Sequence, residues 1–339
     1  MRIGILSAGG DCPGINAAIR GVGKTAIIEY GMEVVGIANG FSGLINLETI
    51  PLQEHLLSGI LTLGGTILGT SRMKPFRKQE GDPVENKPEA IKMNYEKLGL
   101  DALVCIGGNG TQKTAHLLSL EGLNVIGIPK TIDNDVWGTD TTFGFDSAVN
   151  IATDAIDRLH STANSHKRVM VIEVMGHTAG WIALYAGMAS GGDIILIPEI
   201  EYDMDRVAEV LLERSHKGKA YSIVVVAEGI ENPKKKSAGS HIAKQITKMT
   251  NLEVRETILG YTQRGGSPSP HDRILATQYG AHAAELIYNR KFGNMVSLQG
   301  NDITHIPLSE VGGKVKLVPS NHELIQRGRY MGVSFGEKR

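Results

Sequence analysis

The sequence predicts an α/β protein built from two doubly wound, Rossmann-like domains with a cleft between them. Three observations lead there. The chain has 339 residues, more than one ordinary core uses and suited to two domains of roughly 150 residues each. Short apolar runs, several of them bounded by glycine, alternate with longer segments of helical period. Those runs are hydrophobic on both faces, the pattern of parallel strands covered by helices on either side.

Taken in order, residues 2–6, 34–37, 102–106, 124–128, 168–174, 193–197 and 222–227 read as buried strands. Residues 14–30, 88–98, 111–120, 147–162, 181–189, 204–217 and 241–250 read as the helices between them, with a further helix opening after Arg264-Gly265-Gly266-Ser267-Pro268. Two polar stretches, 73–88 and 231–240, read as exposed loops, and the lysine run 234–236 as a solvated turn. The chain changes character near 140 and near 255, without a linker and without a fixed-period repeat. The expected domains therefore interleave: residues 1–140 with about 256–305, and 141–255 with about 306–339.

Composition narrows the function. Basic and acidic residues nearly cancel, 35 against 36, so no global field draws nucleic acid or an anionic membrane. Anion binding must be local. The two cysteines, Cys12 and Cys105, support neither a disulfide framework nor a thiolate metal site. The first residues run straight into a strand pattern with no signal-peptide layout, and no run of 18 apolar residues exists; a cytoplasmic location is expected. Glycine is the anomaly: 42 residues, about 12% against an average near 7%. The glycines fall in pairs after apolar runs, where they let backbone turn sharply and approach a ligand closely.

In α/β sheets ligands collect at the carboxyl ends of strands. Three segments there stand out. Ser7-Ala8-Gly9-Gly10-Asp11-Cys12-Pro13-Gly14 joins a strand to a helix, so its amides either cradle an anion or serve only a tight turn. It lacks both Gly-x-Gly-x-x-Gly and the Gly-Lys-Ser/Thr ending of a Walker loop. Ile106-Gly107-Gly108-Asn109-Gly110-Thr111 repeats the arrangement, with Thr111 as the expected N-cap. Pro129-Lys130-Thr131-Ile132-Asp133-Asn134-Asp135 packs two carboxylates and a lysine at a strand end. Buried unpaired carboxylates cost several kcal/mol, so the cluster faces a wet cleft, a metal or a substrate, or else forms an Asx-turn capping the next helix.

At these residues the chain resembles the phosphofructokinase family, over essentially its whole length. The matching motifs come in order: Gly9-Gly10-Asp11-x-Pro-Gly-x-Asn16, Gly69-Thr70-Ser71-Arg72, Gly107–Thr111, Thr131–Asp135, Val174-Met175-Gly176 and Gln263-Arg264-Gly265-Gly266-Ser267-Pro268. The resemblance implies a cytoplasmic enzyme that moves a phosphoryl group from ATP, with Mg2+, to the 1-hydroxyl of fructose 6-phosphate, working as a dimer or tetramer. Asp133 then corresponds to the base on that hydroxyl, flanked by Thr131 and Asp135, with Lys130 beside the transferred group. Met175, Gly176 and His177 line the sugar, and Glu228 binds its hydroxyls. Arg168 and Arg255 reach the sugar phosphate of a neighbouring subunit, while Arg264 and Tyr261 give further contacts to it. Gly10, Arg72, Gly108, Asn109, Gly110 and Thr111 form the nucleotide side, with Asn109 as the metal's protein ligand. The first expected domain carries the donor and the second the sugar phosphate.

The sequence departs from the family at three positions. Asn109 stands for an aspartate, His177 for an arginine, and Tyr261 for a frequent histidine. Gly110 accompanies ATP use in the family, where an aspartate accompanies pyrophosphate. Lys130 is the lysine of pyrophosphate enzymes, so the pair resembles the mixed-substrate branch. Arg20, Lys217 and Lys219 match effector-site cations, but Lys24 and His160 replace arginines, leaving that pocket incomplete. The competing readings are a pyrophosphate-dependent enzyme, a non-catalytic sugar-phosphate sensor, favoured by Asn109 and His177, and an NAD-dependent oxidoreductase. The missing dinucleotide fingerprint disfavours the last.

Overall fold

The computed structural model describes residues 1–77, 86–231 and 237–338. The lysine run at 234–236 lies outside the described residues, as do residues 78–85 of the loop expected at 73–88. The chain forms two compact units, each assembled from separate stretches. Unit 1 holds residues 1–131, 135–147 and 264–316; unit 2 holds 132–134, 148–263 and 317–339.

The first part of unit 1 runs β1 (Arg2–Ser7), α1 (Ile15–Ile28), β2 (Glu33–Ile37), α2 (Phe41–Asn46) and β3 (Thr49–Pro51). It continues with α3 (Lys87–Lys97), β4 (Ala102–Gly107), α4 (Asn109–Leu120) and β5 (Val125–Pro129). Helix α5 (Phe145–His166) then carries the chain into unit 2. Unit 2 adds β6 (Val169–Val174), α6 (Trp181–Ala189), β7 (Ile194–Leu196), α7 (Met204–His216), β8 (Ser222–Ala227), α8 (Ala238–Thr250) and β9 (Val254–Ile258). The chain returns to unit 1 for α9 (Pro270–Tyr288), β10 (Asn294–Gln299), β11 (Asp302–Pro307) and α10 (Leu308–Val311), and ends in unit 2 with α11 (Glu323–Tyr330).

Unit 1 is organised by a seven-stranded sheet in the order β11-β10-β5-β4-β1-β2-β3. Its five inner strands are parallel, and antiparallel β3 and β11 close its two edges. Every residue of β4 and β5 is buried, as expected for central strands covered on both faces. Unit 2 carries a fully parallel four-stranded sheet, β7-β8-β6-β9. In its register Val174 lies beside Ala227, so the chain leaving β6 and the chain leaving β8 emerge next to each other.

Apart from the short excursion at 132–134, the crossings between units fall after 147, 263 and 316, where those expected from sequence fall after 140, 255 and 305. The sheets explain this. β9 pairs with β6 and keeps the chain in unit 2 through Ile258. β11 pairs with β10 and keeps it in unit 1 through Pro307. Strands β9, β10 and β11, with β3, α2, α10 and α11, were not expected from sequence.

Candidate active site

Three adjacent strands of unit 1, β1, β4 and β5, end in the three segments singled out by sequence. Lys130, buried just beyond β5, ties them together: its ammonium donates to the carbonyls of Ala8 (3.4 Å) and Gly10. Its backbone N–H donates to Gly107 O at 3.0 Å. The hydroxyl of Thr111 donates to Ala8 O at 3.3 Å. Thr111 is therefore not the N-cap. Helix α4 begins two residues earlier, capped at Gly108, and Thr111 sits buried inside its first turn. The cause is local: Thr111 fills the space where any Cβ on Gly107 would lie, 2.2 Å from its Oγ1, so the helix can start immediately after the strand.

Asn109, at the head of α4, donates from Nδ2 to Asp135 O at 3.1 Å. Its Oδ1 is buried with no hydrogen-bond partner among the described residues. A buried acceptor left open costs on the order of 1–3 kcal/mol, which a ligand would recover. An amide oxygen is also a hard donor of the kind magnesium takes together with phosphate oxygens. The described residues contain no cluster of three His, Cys, Asp or Glu side chains fit to hold a metal without such help. Gly110, next along, is exposed, and a Cβ there would meet nothing within 4 Å.

The loop carrying Arg72 is pinned to the β1 turn. Ser7 Oγ donates to Gly69 O (2.8 Å), Thr70 Oγ1 to Gly9 O (2.8 Å), and Gly9 N–H to Ser71 O (2.9 Å). Asn16 holds the same loop by accepting from Ile67 N–H at 2.8 Å. Arg72 itself is exposed and forms no ion pair among the described residues, against a purely salt-bridging role. Arg264 lies on the other side of the turn, donating from Nη1 to Asp11 O at 3.1 Å. A Cβ on Gly10 would come within 2.8 Å of that guanidinium, so the arginine lies directly over this glycine. Burial pushes the Cys12 thiol up to about 12, so it carries no nucleophile's role beside this loop.

In unit 2 the register of β6 and β8 brings Met175-Gly176-His177 against Glu228. Glu228 Oε1 accepts the N–H groups of His177 (2.8 Å) and Gly176 (3.2 Å). Gly176 sits at φ 147°, and an added Cβ would lie 2.4 Å from Ala179 O. Burial pushes the Glu228 carboxyl above its ordinary range, against the downward pull of the His177 amide. The negative charge of Asp133 pushes it up further, so these two carboxylates stand within electrostatic reach of each other. Asp133, Thr131 and Asp135 are all buried, and Asn134 between them takes the left-handed conformation at φ 51°. The segment does not cap a helix: α5 starts only at Phe145.

Gln263, named above only as part of a motif, was given no role. It is fully buried, accepts Met175 N–H at 3.3 Å and donates to Gly260 O at 3.2 Å, so it fixes the strand-end loop from behind. Its place beside Arg264 before the glycine pair was the available signal. Tyr261 is 74% exposed in the short turn Gly260–Arg264.

Arg168 and Arg255 are not brought to this site. Arg168 precedes β6 and Arg255 lies near the start of β9, at the opposite end of the sheet from Met175 and Glu228. Six residues of β6 separate the two ends, roughly 20 Å at a strand's rise. There both guanidinium groups converge on one oxygen, Glu253 Oε1, each at 2.8 Å. Of the five positions compared with effector-site cations, one matching residue, Lys217, and the two departures, Lys24 and His160, have partners close by. His160 joins Tyr221 Oη (2.9 Å) and Ser190 O (2.7 Å), Lys217 pairs with Glu213 (3.8 Å), and Lys24 with Glu54 (3.9 Å).

Glycine turns at the ends of parallel strands, a buried lysine drawn onto one of them and a carboxylate pair in the second unit describe an α/β protein equipped to handle phosphorylated ligands. The chain belongs to the phosphofructokinase family: the profile described as Phosphofructokinase matches residues 2–287. A Bacteroides thetaiotaomicron protein named ATP-dependent 6-phosphofructokinase 3 is 61% identical over 99% of this chain and 100% of its own length. A Spirochaeta thermophila protein named ATP-dependent 6-phosphofructokinase is 56% identical over 98% and 97%. Among solved structures, phosphofructokinase from Saccharomyces cerevisiae superposes with a TM-score of 0.83 at 32% identity. That match covers 91% of this chain and 45% of the yeast chain. The pyrophosphate-dependent phosphofructokinase of Marinobacter aquaeolei shares the fold (TM-score 0.84, 98% and 92% covered) at 23% identity. No described helix is long and apolar enough to cross a membrane.

Proposed function

We propose that the protein is an ATP-dependent 6-phosphofructokinase, phosphorylating fructose 6-phosphate to fructose 1,6-bisphosphate in the cytoplasm. The observation that carries this is the pairing in the second unit of buried Asp133 with half-buried Glu228, whose charges push on each other and whose positions match the family's base and sugar-binding acid. Asp133 takes the proton from the 1-hydroxyl, and Thr131 and Asp135 orient that hydroxyl. Glu228, held by two backbone amides, receives sugar hydroxyls alongside Met175, Gly176 and His177. On the donor side the first turn of α4 and the Gly10 turn offer amides to phosphate, and Arg72 and Thr111 add side-chain contacts. Lys130 and Arg264 offset the charge that builds on the transferred group. Asn109 Oδ1 would hold Mg2+, which draws negative charge from the phosphate oxygens. ATP is favoured by the open space at Gly110 and by the names of the relatives; Lys130 keeps pyrophosphate as the second reading, in line with the mixed-substrate branch.

Arg168 and Arg255 serve the sugar phosphate of a neighbouring subunit in a homo-oligomer. Their position at the far end of the sheet supports this, since one chain cannot bend them back to its own Glu228. A coupled assay with fructose 6-phosphate and either ATP or pyrophosphate tests the reading, on the parent and on Asp133→Asn. Turnover with ATP should exceed that with pyrophosphate, and Asp133→Asn should lower kcat by about 10²–10⁴ with little change in sugar-phosphate binding. Binding without turnover in the parent would establish the sensor instead.

A further inference from the structure

Lys316 is the last residue of unit 1 before the chain crosses over, and no motif points to it. Its backbone N–H donates to Asp135 O at 2.8 Å, the same carbonyl that accepts Asn109 Nδ2. Its ammonium reaches further along the same stretch, donating to Thr139 O at 2.9 Å and to Asp140 O at 2.8 Å. The neighbouring residues Val136 and Val315 form a β-bridge. One residue, distant in sequence, thus holds three carbonyls of the turn that leaves the Thr131–Asp135 segment.

We propose that Lys316 is a positioning residue for phosphoryl transfer: by clamping the carbonyls of Asp135, Thr139 and Asp140 it fixes the backbone on which Thr131, Asp133 and Asp135 are presented. The inference rests on the phosphofructokinase reading for its catalytic consequence, though not for the clamp itself. A carboxylate base loses rate steeply when misplaced by an ångström, so its backbone needs such a hold. A lysine suits this because three donors on one cation can satisfy converging carbonyls, and bonds from a charged donor are about twice as strong as neutral ones.

The charged groups facing the ammonium are the carboxylates of Asp140 and Asp135, both on the clamped turn. Burial pulls the ammonium down from 10.5 to about 8, with those two carboxylates opposing the fall. Between these values the unfolded chain holds the proton more tightly than the folded one. Raising the pH through that window therefore adds to folding stability through this group, while its deprotonation weakens the clamp. Loss of turnover without loss of Tm, centred near pH 8, is its signature.

The experiment compares the full-length parent with Lys316→Met and Lys316→Arg. It reads kcat, KM and Tm from pH 6.5 to 9.5, and amide hydrogen exchange of peptides spanning 131–142. The parent should lose turnover by about three- to tenfold on the alkaline side, while this group's contribution to Tm rises rather than falls. Lys316→Arg, which stays charged, should keep neutral-pH kcat within about threefold and move that limb beyond the measured range. Lys316→Met should lower kcat by about tenfold or more with KM nearly unchanged. It should also accelerate exchange at 135–140 by about tenfold while leaving β1 protected. Parental kcat and pH profile in Lys316→Met, or undisturbed exchange at 135–140, overturns the proposal. Should Lys316→Met not fold, an alkaline limb retained near the parental pH in Lys316→Arg overturns it equally. A parent that turns over with neither donor would sink the phosphofructokinase reading, while the exchange data would still decide the clamp.

Discussion

Gly110 stands exposed in the first turn of α4, where a Cβ would touch no protein atom. Packing therefore does not demand glycine there, and the reading advanced above gives the open space to the donor's phosphates. Gly110→Asp makes a sharp test because an acidic residue in a helix's first turn is favourable to the helix itself. The fold should stay intact, with Tm unchanged. Two like charges about 4 Å apart in a partly wet site repel by roughly 4 kcal/mol, so kcat/KM for ATP should fall by at least about a hundredfold. Pyrophosphate, lacking the nucleoside, should lose far less. Measuring both donors on parent and variant decides it: undiminished ATP efficiency would remove Gly110 as the gate. Single residues with distinctive chemistry, such as Asp133, Glu228 and Lys130, were legible in the sequence because charge at the end of an apolar strand has few other uses. The parts given above to Gln263 and Lys316 were harder to read, because a neutral amide with only its motif neighbours as a signal, and one lysine among many, say little without the backbone atoms they reach.

Among the elements, the strand-end loop after β6 is the most constrained. Gly176 combines a φ of 147° with no room for a Cβ against Ala179 O. Gly176→Ala must move the backbone whose N–H groups hold Glu228. Backbone strain alone costs about 1–3 kcal/mol, and the collision adds to it. The expected outcome is a Tm lowered by several degrees and a KM for fructose 6-phosphate raised about tenfold, with donor KM spared. Calorimetry and steady-state kinetics check this, and an unaltered KM would show that the loop does not set the sugar's place. The central strands β1, β4, β5, β6 and β8 could be read directly, since burial on both faces writes an unbroken apolar run. β9 could not: Val254-Arg255-Glu256-Thr257-Ile258 lies on the sheet edge, and most of its side chains are exposed. The β10–β11 hairpin carried a legible cue, the two residues Gly300-Asn301 between its strands, but its polar outer strand masked the pattern.

For the whole molecule, the separation of Arg168 and Arg255 from Glu228 along β6 sets an expectation about assembly. If these arginines act on a neighbour, the Asp133→Asn and Arg255→Ala chains, each inactive alone, should restore part of the activity when mixed and reassembled. A hybrid pair contains one site free of both lesions. Activity measured after co-refolding, with mixed oligomers verified by mass, decides this. Mixed assemblies that remain inactive would return both arginines to a structural ion pair with Glu253.

The pairing of β10 with β5 reaches beyond the finished enzyme, into how it is made. β4 covers one edge of β5, and on the other edge Ile126 and Gly127 pair with Asn294 and Met295. At a synthesis rate of about 5–20 residues per second, the inner edge of the large sheet waits roughly 10–30 s for its neighbour to be translated. Throughout that interval β5, buried along its whole length in the native protein, is an open hydrophobic edge on a growing chain. Unit 1 is therefore a late-closing domain despite being the first to emerge from the ribosome. Its yield in a cell depends on what shields that edge until the C-terminal quarter of the chain arrives.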